Sequence, residues 1–207
     1  MLRIRIRFTK TGDIRFISHH DLMKVFERAV RRAHIPIEIS KGFNPHPRLS
    51  IPLALSVGII GKDEILELEL QKPIPLEILH ECLSRQLPKE IQILSGEVIS
   101  DSTKNHIGDI CYEVIFQDAS LLKTVKVNTF LQQSSITVNR LKDGHHKLFD
   151  IRPSVKDIQI KSNKLIITLR MTPGGTAKPE EILHILGFTR GKEFFEIIRT
   201  KVNISSA

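Results

Sequence analysis

Leu2-Arg3-Ile4-Arg5-Ile6-Arg7-Phe8 alternates apolar residues with arginines. Side chains on a strand alternate between its two faces, so this period of two predicts a strand with an apolar face and an arginine face. Thr11-Gly12-Asp13 turns the chain, and residues 14–17 extend or pair the strand. Ser18-His19-His20-Asp21 has the form of a capping box, an acid three residues after a cap serine. A helix is predicted from there to His34. Leu22, Val25, Phe26, Ala29, Val30 and Ala33 form its apolar stripe, with Lys24, Arg28, Arg31 and Arg32 on the opposite face. Pro36 stops the helix, and Ile37-Glu38-Ile39 reads as a short strand.

Outward from this unit, residues 40–52 hold three prolines and a glycine, which preclude a regular helix. A strand is predicted over 65–70, a helix over 75–87 and a strand over 91–99. The order β-α-β-β-α-β gives a ferredoxin-like arrangement, two helices on one face of an antiparallel sheet. Beyond the polar stretch 100–105 a looser copy is predicted. It has strands at 110–116, 136–141 and 147–151, a hairpin of 155–160 with 164–171, and a last strand over 193–204. Helices are predicted at 119–132 and from Pro179 to about Gly187, and Val125, Val127 and Thr129 weaken the first. The expected fold is therefore α+β, with two ferredoxin-like halves, residues 1–100 and 106–207.

The chain has 207 residues and a formal net charge of +8, and the charge is unevenly placed. Residues 1–50 carry +7, residues 51–100 carry −4 and the remainder +5. A basic concentration of this kind is the usual footprint of a polyanion partner. Aromatics are only 5%, which argues against an aromatic cage or a face paved with stacking rings. No apolar run is long enough to span a membrane, and the N-terminus lacks a signal peptide's apolar stretch. Cys82 and Cys111 each stand alone, so neither a zinc nor an iron–sulfur site is expected. Both are expected to be reduced, buried thiols in a cytoplasmic protein.

Two segments gather polar chemistry. The first, residues 10–21, brings Lys10, Asp13, Arg15, His19, His20 and Asp21 to a helix start, where free N–H groups favour anions. Ser18 and Asp21 account for themselves as caps. The adjacent histidines diverge and have no third partner, so no metal is expected. The second is Lys41-Gly42-Phe43-Asn44-Pro45-His46-Pro47-Arg48. Its prolines stiffen the presentation of His46. Phe43 suits base stacking, and Lys41 and Arg48 suit phosphate. The competing structural reading has Phe43 plugging the core. Arg3, Arg5 and Arg7 would join the helix cations Lys24, Arg28 and Arg31 in one positive surface if sheet and helix expose them on the same side. Later, Asp150-Ile151-Arg152-Pro153 and Thr172-Pro173-Gly174-Gly175-Thr176 stand out. The second lacks the Walker form and reads as a tight turn. Arg199 and Lys201 add positive charge near the end.

The string R-F-x-K-x-G-x-x-R-F-I-S-H-x-D-L, followed by S-K-G-F-N-P-H-P-R-L-S, spans residues 7–50. It resembles the bacterial radical-SAM-associated family, whose function is not established. The later D-I-R-P and P-G-G-x-x-x-P-E-E strings also resemble that family's second half. His20 stands where the family usually has an apolar residue, which leaves His19 the better candidate. The resemblance implies a chain fused to, or encoded beside, a radical SAM protein, near genes for RNA processing and ribosomal proteins. This chain has no C-x-x-x-C-x-x-C for the cluster, so an accessory role follows, with no cofactor of its own.

The leading expectation is a module that holds RNA or a ribonucleoprotein particle for a radical SAM partner. Arg3, Arg5, Arg7, Arg28 and Arg31 would contact phosphate. Lys10, Arg15, His19, Lys41, Phe43, Asn44, His46 and Arg48 would form the specific site. The alternatives are an RNA-processing enzyme using His19, His46, Asp13 and Asp21 as acid–base groups, or a protein adaptor.

Overall fold

The computed structural model describes residues 2–99, 106–142, 144–189 and 194–205. It is a mixed α/β structure with mostly antiparallel strands. The chain divides into two compact units, residues 1–106 with 205–207, and residues 107–204. The polar stretch 100–105 lies outside the described residues.

In the first unit the opening alternation forms β1 (Leu2–Lys10). A 3-10 turn, Gly12–Phe16, follows where the sequence suggested an extended segment. Next come α1 (His19–Arg32), β2 (Leu49–Ser50), β3 (Ile60–Leu70), α2 (Leu76–Ser84) and β4 (Ile93–Ile99). β1 lies between β4 and β3 and is antiparallel to both. Leu68 pairs with Ile4 of β1 and with Leu49 of β2, so β2 lies on the far edge of β3. The strand expected at 37–39 is reduced to two single bridges, Ile37 to Leu70 and Ile39 to Pro47. The residues after it are rich in proline, which lacks the N–H a ladder needs.

The core of this unit joins Ile4, Ile6 and Phe8 of β1 to Leu22, Phe26, Ala29 and Val30 of α1 and Leu79 and Leu83 of α2. The rings of Phe8 and Phe26 meet edge-on, their centroids 4.8 Å apart. Because the even residues of β1 face the helices, Arg3, Arg5 and Arg7 face the other side of the sheet. The expected continuous surface with Lys24, Arg28 and Arg31 is therefore not formed: the two sets lie on opposite faces.

The second unit contains β5 (His106–Phe116), α3 (Val127–Gln132), β6 (Thr137–Lys142), β7 (His145–Asp150), β8 (Val155–Lys161), β9 (Lys164–Arg170), α4 (Pro179–Ile185) and β10 (Phe195–Ser205). Its main strands lie in the order β10-β5-β9-β8, and β6 and β7 make a separate two-stranded sheet. The helix expected over 119–132 is split into a 3-10 turn, Ala119–Thr124, and α3, with Val125 extended between them. β-branched residues at this point resist a continuous helix. The β8–β9 hairpin turns at Ser162, which takes the positive φ of 54° that so short a connection demands.

Arg199 is buried and adds nothing to the surface charge. Among the described residues, no helix is long and apolar enough to cross a membrane.

Candidate functional site

The arginine face of β1 is met by acids from both neighbours. Arg3 donates to Glu67 at 2.7 Å, and Arg7 to Asp63 at 3.0 Å. Arg5, only 4% exposed, reaches Glu67 at 2.8 Å and Glu97 at 3.1 Å. Cross-strand register places Arg5 opposite both Glu67 and Glu97. Arg5 is corrected out of the phosphate-contacting set, because a guanidinium already paired and desolvated has little left for a polyanion, whereas Arg3 and Arg7 are paired but partly exposed. The sequence reading missed Asp63, Glu67, Glu69 and Glu97. Their signal was the alternation Glu67-Leu68-Glu69-Leu70, the mirror of Arg3-Ile4-Arg5, together with the −4 of residues 51–100.

The segment 10–21 forms one end of the unit. Lys10 is fully buried, its Nζ donating to the Ile17 carbonyl at 2.9 Å, so it serves the chain rather than a ligand. Arg15 lies 4.8 Å from the ring of the half-exposed Phe16. Asp13 is exposed. Ser18 caps α1: its hydroxyl accepts from the Asp21 N–H at 3.1 Å and donates to the Asp21 carboxylate at 2.7 Å. That bond holds the Asp21 carboxyl below the ordinary carboxylate range. At neutral pH Asp21 is an ionised cap and a weak base. His19 is half-buried and His20 exposed, and no metal-ligating cluster exists among the described residues.

The loop after α1 is built differently. Ser40 N–H donates to the His46 carbonyl at 2.8 Å, and His46 N–H to the Ser40 hydroxyl at 3.0 Å. Glu38 and Arg48 flank this closure; Arg48 N–H donates to the Glu38 carbonyl at 2.7 Å. Both are stitched to the backbone of Glu69 on β3, at 2.7 Å and 3.0 Å. Residues 41–45 thus form a short tip on a hydrogen-bonded base. Gly42 has a φ of 145°, and a side chain there would be strained. Lys41, Asn44, Pro45 and His46 are all exposed, and Phe43 is 106% exposed. The core-plug reading of Phe43 is overturned: its ring stands wholly in solvent.

The two segments do not converge. Lys10 pairs with Gly61, at the start of β3, and Gly58 N–H bonds the Arg15 carbonyl. The 38–48 loop is fastened at Glu69, near the other end. Eight residues of strand separate Gly61 from Glu69, about 26 Å at the rise of a β-strand. His19 and His46 therefore do not face one scissile bond, and the single site expected from Lys10, Arg15, His19, Lys41, Phe43, Asn44, His46 and Arg48 resolves into two places. Along the outer face of α1, Lys24, Arg28 and Arg31 are exposed. Lys24 has a long 3.8 Å contact with Asp21, whereas Arg28 and Arg31 have no ion pair among the described residues.

The later motifs are structural. Asp150 accepts from the N–H groups of Ile136 at 2.9 Å and Arg152 at 3.0 Å. Arg152 donates to the carbonyls of Leu131, Gln133 and Val155, closing the end of α3 against β8. Thr172 and Gly175 exchange two backbone hydrogen bonds of 2.9 Å, a tight turn as expected. A side chain at Gly174 would meet the Phe149 ring at 3.3 Å. Arg140 stacks on that ring at 4.0 Å and makes a two-pronged pair with Glu181 on α4.

This is the geometry into which a family match falls. The family described as an uncharacterized protein conserved in bacteria (DUF2344) matches residues 3–180. The chain belongs to that family. No curated protein matches it. The DUF2344 match takes in β1 from Arg3 on, the 41–48 loop, the arginine–glutamate lattice and the Arg152 clamp, and ends just before Glu181, the partner of Arg140.

Proposed function

We propose that this DUF2344 protein is an accessory RNA- or ribonucleoprotein-binding module that acts in the cytoplasm with a radical SAM partner. We read its first unit as ferredoxin-like, with the second a divergent relative of the same plan. The observation that carries the RNA reading is Phe43, an aromatic ring held wholly in solvent by a closed loop base. An exposed ring on a hydrogen-bonded loop suits an unpaired base, which stacks without a preformed pocket. Lys41, Asn44 and His46 beside it offer polar contacts. Lys24, Arg28 and Arg31 supply cations for phosphate along α1. The radical SAM partner rests on the resemblance of residues 7–50.

Filter binding to single-stranded RNA across a salt series tests this reading. Affinity is expected to fall as salt rises, and Phe43→Ala is expected to weaken it by about tenfold or more with folding unchanged. Salt-independent binding, or a Phe43→Ala variant that binds as wild type, removes the RNA claim. Co-purification with the radical SAM protein that survives nuclease treatment tests the partner.

A further inference from the structure

β4 has β1 on one side and, among the described residues, no strand on the other, so it forms an open edge of the first unit's sheet. Its residues from Leu94 to Val98 are all exposed. Thr9 N–H donates to the Gln92 carbonyl at 2.9 Å, so the odd-numbered residues of β1 direct their backbone groups toward β4. Their partners in register are Ser95, Glu97 and Ile99. The backbone groups of Gly96 and Val98 therefore point the other way, into the open edge. The edge closes at Ile93, whose carbonyl is met by His80 Nε2 at 3.1 Å.

Natural edge strands are ordinarily blunted by charged side chains, lysine above all, or by proline. Residues 93–99 hold neither lysine nor proline, and their one charge, Glu97, is met by Arg5 at 3.1 Å. The register shift against β1 falls at Leu94 and leaves Ser95 to Ile99 regular. This run is also self-complementary. Antiparallel pairing with a copy of itself about Gly96 sets Gly96 against Gly96, Ser95 against Glu97 and Leu94 against Val98. No side chain crowds the axis and no like charges meet. The Ser95 hydroxyl can donate to the Glu97 carboxylate oxygen that Arg5 does not engage. Leu94 and Val98, 49% and 59% exposed, cover each other. An axis at Glu97 would instead oppose two carboxylates, on a residue whose backbone is already bonded to β1.

We propose that β4 is a homodimer interface, in which two copies of this chain join edge to edge, β4 antiparallel to β4, about a two-fold axis at Gly96. Gly96 exchanges N–H···O=C bonds with Gly96 of the second copy, and the two sheets run on into one another. The contact uses the same surface on both copies, so it closes at two and does not propagate. A strand from another protein would satisfy the same backbone groups. The palindromic match of Ser95 with Glu97 and Leu94 with Val98 is what favours a second copy.

Sedimentation equilibrium of the full chain across a concentration series tests the interface. One copy has a mass of 23.6 kDa, and twice that mass is expected at the concentrated end. Val98→Lys puts a charge into the contact at an exposed position and enters it twice. It is expected to weaken dimerisation about tenfold or more. Gly96→Pro removes the N–H at the axis without breaking a bond to β1, and is expected to leave a folded monomer. Hydrogen exchange on the wild-type chain decides the matter even if a variant misfolds: the amides of 94–98 are expected to slow as concentration rises through the transition. A wild-type chain of single-copy mass throughout overturns the proposal and leaves the edge to another protein's strand or to solvent. A dimer whose 94–98 exchange ignores concentration, or that forms as tightly in both folded variants, is joined elsewhere and overturns it too. Masses that keep growing past two copies overturn the closed two-fold contact.

Discussion

Arg5 shows how a residue's surroundings reverse its meaning. In the sequence it is one of three arginines on a strand, an inviting contact for phosphate. In the fold it is buried between Glu67 and Glu97. Removing one partner of a buried pair leaves an uncompensated charge, so Arg5→Ala is expected to lower the unfolding free energy by about 3 kcal/mol. Urea titration measures this, and RNA affinity of the folded fraction is expected to stay at the wild-type value. Phe43 is the converse: with its ring in solvent, Phe43→Ala is expected to change stability by no more than about 0.5 kcal/mol. Asp150 bears on pH. The Ile136 N–H holds its carboxyl below the ordinary carboxylate range. A lowered folded value contributes stability that is present above the unfolded value, near about pH 4, and is lost as pH falls through the folded value. Asp150→Asn is expected to flatten the stability loss below that pH, as read from acid unfolding followed by circular dichroism.

At the scale of elements, β1 and α1 were legible because their signals are local. The period of two in Leu2–Phe8 and the Ser18–Asp21 cap need no distant partner. Ser18→Ala is expected to cost about 1 kcal/mol of stability, since it removes the acceptor for the Asp21 N–H. The split between the 3-10 turn and α3 was only half legible. Val125, Val127 and Thr129 signalled weakness at the break, but the far end of α3 is closed from outside the helix by Arg152, reaching the Leu131 and Gln133 carbonyls. Arg152→Lys keeps the charge and loses the planar fork. It is expected to cost about 2 kcal/mol, again by urea titration. The hairpin of β6 and β7 was expected inside a copied sheet. It stands as its own sheet, tied to α4 through Arg140 and Glu181, a pair 41 residues apart that no local pattern announces.

At the scale of the molecule, the charge map is what tertiary structure redraws. Part of the +7 of residues 1–50 is met internally: Arg3, Arg5, Arg7 and Arg48 pair with Asp63, Glu67, Glu69 and Glu97. Among the cations of residues 1–50, the exposed ones are those of α1 and the loop. Reversing Lys24, Arg28 and Arg31 to glutamate is therefore expected to reduce the slope of log affinity against log salt by about 2 for single-stranded RNA. By itself, the sequence determined β1, α1, β3, α2 and β4 of the first unit and their order, because hydrophobic period, capping and proline act within a few residues. It also marked the 41–48 loop as rigid. Only the tertiary structure decided which arginines are free, because their partners lie across strands some 60 residues away. It also decided that Lys10, Arg15 and His19 stand apart from Phe43 and His46, because the length of β3 keeps the two segments at its opposite ends.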